Sequence, residues 1–234
     1  ISDDMKIKLL AENVDEHKIS VIHNWYDNRT VKEVHCEENK FLKKYNLSNK
    51  GFYVQYAGTM GHVFNYKVII ETAKILSKER NIFFHMIGEG SQRKAFIREK
   101  EKNNLDNIIF FPLEPQEMVS DVYSACSVGL IPLKEGIIGN SVPSKVGLIM
   151  ACRRPILNAV DPNSNYYKIF KENGIGISVC NNDAEKLAKA ILFLRDNPLL
   201  IKTMGIKGEK YGKKYFSRSK NTKKYIDIFH DALN

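Results

Sequence analysis

The sequence predicts an α/β chain built on a doubly wound parallel sheet of about six strands, with a helical C-terminal extension. Three observations predict it. Short, nearly all-apolar runs alternate with helix-period segments about six times between residues 50 and 200, as expected when both faces of a parallel sheet are covered. The chain has 234 residues, 43% of them hydrophobic, enough for a sizeable core. Beyond residue 200 the strand-like runs stop, and a basic segment keeps apolar residues at helical intervals. Together these describe a Rossmann-like domain.

The elements follow in order. FYVQYAG (52–58) is β-rich and ends in glycine, and YKVIIETAKILSKER follows at helix period. NIFFHMIGEG (81–90) repeats the pattern before the charged helix of SQRKAFIREKEKNN. Next come NIIFFPL (107–113), a helix in PQEMVSDVYSAC and the strand SVGLIPL (127–133). SVPSKVGLIMAC supplies a helix, with Ser141 or Val142 as its cap and Pro143 in the first turn, where a missing N–H costs nothing. RPILNAV (154–160) is a strand, NYYKIFKENG a helix with a glycine stop, and IGISV (175–179) the last strand. DAEKLAKAILFLRDN opens on Asp183 as N-cap. The tail reads as a helical pair because Tyr211, Tyr215, Phe216, Tyr225, Ile228 and Phe229 recur along it.

The first 25 residues differ. They read as helix, loop and strand, and a polar connection over 26–50 with a short helix in EENKFLKKY follows. One helix and one strand cannot form a core. They belong to the edge of the α/β domain or to an absent partner, and on the second reading Val21, Ile22 and Trp25 are poorly buried. The chain begins at Ile1 and shows no signal-peptide pattern, which suggests part of a longer protein.

Composition narrows the function. No apolar run approaches the ~18 residues of a membrane span. The four cysteines lie far apart without a CxxC pair or zinc spacing, as free thiols in a reducing compartment would. Net charge is +9, from 36 basic and 27 acidic residues. That is either a solvated lysine-rich surface or the mark of an anionic partner: nucleic acid, acidic membrane or phosphorylated ligand. No aromatic stacking signature or nucleic-acid motif supports the first of these.

Ligands of open parallel sheets bind beyond the carboxyl ends of the strands. Four segments fall there: GTMGH (58–62), GEG (88–90), PLEP (112–115) and PLKEGIIGNSVPSK (132–145). Gly58 and Gly61 let backbone approach a ligand. GEG is no dinucleotide fingerprint, because Arg93 stands where a glycine is needed. GIIGNSVPSK is more informative. Lys145 sits at a helix start whose dipole repels it. Either it is a snorkelling surface lysine, or free amides, the Ser144 hydroxyl and the Lys145 ammonium converge on a pyrophosphate without a metal.

GTMG, then GEG before a charged helix, then VPSK…IMACRRPIL and NGIGISV resemble the C-terminal, donor-binding domain of a family 4 retaining glycosyltransferase. KISVIHNWYD (18–27) resembles the segment that closes that family's N-terminal domain. The resemblance covers essentially the whole chain. It implies the C-terminal half of a GT-B fold. Residues 1–25 would be the last helix and strand of an N-terminal domain, 26–50 the interdomain connection, 51–200 the nucleotide-sugar domain and 201–234 the C-terminal helices.

The resemblance implies sugar transfer from a nucleotide-diphosphate donor with retention and without a metal cofactor. The PSK-type branch serves bacterial capsule, O-antigen and exopolysaccharide synthesis, often from UDP-linked amino sugars. A glycan or lipid-linked acceptor, a cytoplasmic location and peripheral contact with the inner membrane face go with it. Nucleic acid does not. Carried over by position, Gly58, Thr59, Gly61 and His62 face the donor phosphates. Gly88, Glu89 and Gly90, with Pro112 and Leu113, shape the base pocket. Asn140, Ser141, Val142, Pro143, Ser144 and Lys145 hold pyrophosphate and donor sugar.

Two departures stand out. Asn140 and Leu148 occupy the places of two glutamates eight apart, the second a ribose ligand, and Thr59 replaces a basic residue. Catalytic and acceptor groups belong to the N-terminal domain, so these 234 residues would bind a donor and catalyse nothing. The alternatives are a sugar-nucleotide epimerase of the same architecture, with His62 and Glu89 near the strand ends as acid and base, and a basic nucleic-acid-binding module.

Overall fold

A computed structural model describes residues 2–48, 50–140 and 142–233. The six apolar runs form β1 (Phe52–Ala57), β2 (Ile82–Ile87), β3 (Ile108–Phe111), β4 (Val128–Pro132), β5 (Ile156–Val160) and β6 (Gly176–Cys180). They make one parallel sheet in the order β3-β2-β1-β4-β5-β6. The helices are α1 (Asp3–Ala11), α2 (Lys40–Lys44), α3 (Tyr66–Ile75), α4 (Arg93–Lys102), α5 (Val119–Ser124) and α6 (Val146–Ala151). They continue with α7 (Asn165–Glu172), α8 (Ala184–Arg195), α9 (Pro198–Tyr215) and α10 (Arg218–Leu233). Asn39, Asn65, Ser164 and Asp183 cap α2, α3, α7 and α8 with side-chain oxygens, each satisfying a backbone N–H that the helix leaves free.

Strand alternation divides the core into two layers. Val54 and Tyr56 of β1 face α3 and α8, packing with Ile69, Phe84, Leu130 and Ile191. Tyr53 and Ala57 face the other way, with Phe41, Val122, Ile149 and Phe170. Fully burying one such large apolar side chain contributes about 1.5–3 kcal/mol, so the two layers hold the sheet rigid beneath its loops. α3 and α6 follow neighbouring strands yet lie on opposite faces.

That reversal parts the strands. β1 and β4 pair only at Val54↔Val128 and Gln55↔Gly129, whereas β1 pairs with β2 from Phe52 to Ala57. The Gly58 N–H donates to Ile87 of β2 at 3.0 Å, so alternation turns the Ala57 carbonyl toward the gap beside β4. There it accepts from the Tyr123 hydroxyl at 3.1 Å. On the β2 side the two loops touch. Met60 N–H donates to Glu89 at 2.8 Å, and Gln92 N–H to Met60 at 2.9 Å. Gly88 has φ +121°, and a Cβ there would lie 2.3 Å from the Gly58 carbonyl oxygen.

Two sequence expectations fail here. Residues 19–25 form no strand, and Tyr26 makes a single parallel bridge to Ser217 in the link between α9 and α10. Tyr26 N–H donates to the Phe216 carbonyl and the Arg218 N–H to the Tyr26 carbonyl, so the run ends against that irregular link rather than beside a strand. Ile22 is nevertheless buried at 7% exposure, Val21 is half-buried, and Trp25 stays 41% exposed, edge-on to Tyr225. The helix expected from residue 141 starts at Val146, with Lys145 as its flanking residue. Residues 144 and 145 form a turn first, so Val142 does not cap the helix and Pro143 is not in its first turn.

The flanking segments are tied to the domain by charge. The Asp4 carboxylate accepts from the Asn165 and Tyr166 N–H groups at 2.7 and 3.0 Å, a favourable place at the positive end of α7. The paired arginines after α6 act as staples. Arg154 donates to the Ser124 carbonyl at 3.0 Å and pairs with Glu33 of the connection. Arg153 pairs with Glu33 and with Glu209 of α9.

Gly88→Ala should destabilise the chain by about 2–3 kcal/mol, from backbone strain and the clash with Gly58. Gly61→Ala, whose added methyl would meet nothing nearer than Thr59 at 3.5 Å, should stay within about 0.5 kcal/mol of the parent. Urea denaturation of both variants checks the pair; equal midpoints would contradict the loop packing.

Candidate functional site

The parted ends of β1 and β4 border a cleft of about 340 Å³. One wall is the end of β1 and the turn after it: Tyr56, Ala57, Gly58 and Thr59. The other is Val142, Pro143, Ser144, Lys145 and Leu148. Val63, Tyr123 and Leu133 also line it, and among the described residues no carboxylate does.

Lys145 crosses between the two layers. It leaves the face carrying α6 and reaches over Gly58 to the ring of Tyr56, whose centroid is 4.2 Å from Nζ. A Cβ on Gly58 would lie 2.8 Å from Lys145 Cε. The glycine therefore provides the slot through which the lysine passes. Burial lowers the Lys145 pKa from its ordinary 10.5 to about 8, and no acidic group opposes the shift. Among the described residues no carboxylate pairs with it. A partly dehydrated cation without a counter-ion, at the mouth of a cleft, favours an incoming anion.

Two tyrosines shape the cleft. The Tyr56 hydroxyl donates to the Thr59 carbonyl at 2.5 Å and bridges the turn after β1. Tyr123 holds the Ala57 carbonyl. Burial raises both phenols well above their ordinary value, so both remain neutral donors.

Of the residues singled out in the sequence, Gly58, Thr59, Val142, Pro143, Ser144 and Lys145 come together in this cleft. Ser141 lies outside the described residues. Gly61 and His62 sit further along the turn and are not in the lining; His62 is exposed. Gly88, Glu89 and Gly90 lie on the β2 loop behind it, with Glu89 turned to Arg93 at 3.4 Å. His62 and Glu89 thus do not share the cleft. Leu113 is 68% exposed on the next loop. Its neighbour Glu114 is buried but bound by Lys44 and Tyr45, which hold its pKa down against that burial. Asn140 accepts from Lys8 of α1. Sequence reasoning missed Tyr56 and Tyr123. The available signal for Tyr56 was a hydroxyl-bearing ring two residues before the glycine that ends the first strand.

A six-stranded parallel sheet that reverses at β1 and β4, flanked by helices and closed by a helical C-terminal end, is the Rossmann-like fold of one half of GT-B glycosyltransferase structures. The chain belongs to the glycosyl transferases group 1 family, whose model matches residues 37–211. It is 26% identical over 191 residues to "Probable glycosyltransferase WbjE" of Pseudomonas aeruginosa, covering 82% of this chain and 47% of that one. It therefore spans about half the length of that curated relative. A glycosyltransferase from Rickettsia africae ESF-5 superposes with TM-score 0.85 at 20% identity, over 100% of this chain and 62% of that one. Anabaena Alr3699/HepE in complex with UDP and glucose superposes with TM-score 0.81 at 11% identity, over 96% and 60%.

The lowered pKa has a stability consequence. Between about pH 8 and 10.5 the folded chain binds fewer protons at Lys145 than the unfolded one. The cost of burying the ammonium is therefore full below pH 8 and is released as pH rises to 10.5. Lys145→Ala should make the empty chain more stable at pH 7, and the gain should shrink between pH 8 and 10.5. Thermal melts across that range test this, and a gain constant with pH would contradict it.

Proposed function

We propose that this chain is the donor-binding half of a retaining glycosyltransferase. The donor is a nucleotide-diphosphate sugar, a UDP-linked and N-acetylated amino sugar foremost among the candidates. The acceptor is a glycan or lipid-linked saccharide in bacterial capsule, O-antigen or exopolysaccharide synthesis. The single observation carrying this reading is Lys145, a half-buried ammonium that among the described residues has no carboxylate partner, facing a cleft at the strand ends. Family membership supports it, and so does a solved relative of the same fold with UDP bound.

The pyrophosphate lies against Lys145, Ser144 and the backbone of Gly58 and Thr59. Donor binding is metal-independent on this reading, with Lys145 rather than a bridging cation opposing the phosphate charge. Gly61, His62, Gly88, Glu89, Gly90 and Leu113 lie on the loops behind that point, on the side where the base extends. Asn140 lies beyond the opposite wall, toward the donor sugar. Residues 1–25 close a preceding half that carries the catalytic and acceptor groups, so this segment binds donor without turning it over. The full enzyme works in the cytoplasm at the inner membrane face.

Calorimetry tests the reading. UDP should bind equally with and without EDTA, and Lys145→Ala should weaken it by about 1.5–3 kcal/mol, the range for a hydrogen bond to a charged group. Uridine, lacking phosphate, should not respond to the substitution. Binding abolished by EDTA, or UDP indifferent to Lys145→Ala, would overturn the proposal.

Leu148 gives a second test. It lies one helical turn beyond Lys145 and puts an apolar side chain into the cleft, next to where a ribose adjoins the phosphates. With no acceptor there for the ribose hydroxyls, 2′-deoxyuridine diphosphate should bind within about threefold of UDP, well short of the ~1–3 kcal/mol an unmet buried polar group costs. A tenfold preference for the ribonucleotide would place a ribose ligand elsewhere.

A further inference from the structure

Buried cations ordinarily carry a carboxylate partner. Half-buried Lys145 has an aromatic ring against its ammonium and, among the described residues, no carboxylate. Tyr56 is itself buried at 4% exposure, held by Phe64 at a centroid distance of 4.4 Å, and its face lies 4.2 Å from the ammonium. Its hydroxyl ties down the Thr59 carbonyl. One side chain therefore touches both walls of the cleft: the turn after β1 through its hydroxyl, and the residue before α6 through its ring.

The choice of a ring has a chemical consequence. A carboxylate beneath Lys145 would hold the ammonium in place but cancel its charge, and an incoming phosphate would have to compete with it. The negative face of a π system attracts a cation by its quadrupole and carries no net charge. It fixes the ammonium while leaving the whole positive charge available.

We propose that Tyr56 is the positioning residue of the cleft, its ring serving as an uncharged counter-group that keeps the Lys145 ammonium charged and in place while its hydroxyl fixes the opposite wall. This rests on reading the cleft as an anion site, but the role of the ring can be measured without any ligand.

The test replaces Tyr56 with phenylalanine and then with mono-, di- and trifluorinated phenylalanines. These keep the ring's shape while draining electron density from its face, so the fold is spared. Lys145 is titrated in the empty full chain by NMR of ¹³C-methylated lysines, its signal assigned by its absence in Lys145→Arg. Tyr56→Phe should leave the Lys145 midpoint where it is, and the fluorinated series should lower it stepwise, by about half a unit at three fluorines. UDP affinity should fall about three- to tenfold in Tyr56→Phe, from loss of the Thr59 tether, and further along the series. A midpoint that is flat or rises with fluorination overturns the role of the ring. A graded midpoint with no UDP binding in any form supports the ring–ammonium pair and overturns the anion reading alone.

Discussion

The structure turns on the place where neighbouring strands send their helices to opposite faces. β1 and β4 part after Gln55 and Gly129 because α3 and α6 pull the chain to different sides. Parting leaves a strand carbonyl without a sheet partner, and buried backbone oxygens must be satisfied. Tyr123 supplies the hydroxyl that does so. The cleft follows from this geometry rather than from any one loop, and the residues at its mouth come from distant parts of the sequence. Open parallel sheets bind ligands at such reversals, and here the reversal also offers the lysine a path from one layer to the other.

Charge is distributed unevenly in what it does. The net excess of +9 is mostly displayed on exposed side chains. Exposed ion pairs such as Lys74–Glu71 contribute little. The arginines after α6 are different, because they join three segments that are far apart in the chain: the connection, α5 and α9. Glu114 is likewise committed to Lys44 and Tyr45, which fix α2 against the loop after β3. Lys145 stands apart from all of these, since burial acts on it without a compensating acid.

Much of this was legible in the residues. Period and composition located all six strands, and glycine and serine punctuation located the loops that meet at the sheet's edge. Lys145 was singled out by its position alone. Failure came where tertiary context outweighed local pattern. The run around Val21 and Ile22 has strand character, but among the described residues it joins no strand of the sheet. Pro143 suggested a helix start, yet a turn intervenes and α6 begins three residues later. Of the glycines, Gly88 answers to the carbonyl of the neighbouring loop, a contact no spacing rule could reveal. Tyr56 sits in a strand run and Tyr123 in a helix segment, and both pack in the core; their hydroxyls gain meaning only once the strands part.

The slot at Gly58 couples two distant positions unequally. Any side chain there would meet the lysine's own methylene before it met a ligand, and the ammonium would be evicted from the ring without a change at residue 145 itself. The dependence runs one way: Gly58 sits at φ +143°, where L side chains are strained, so a shorter residue at 145 leaves the demand for glycine in place. In lineages descending from this chain, residue 145 can therefore vary behind a fixed glycine, whereas a sequence keeping the lysine but filling the slot would describe a protein that has already abandoned this cleft.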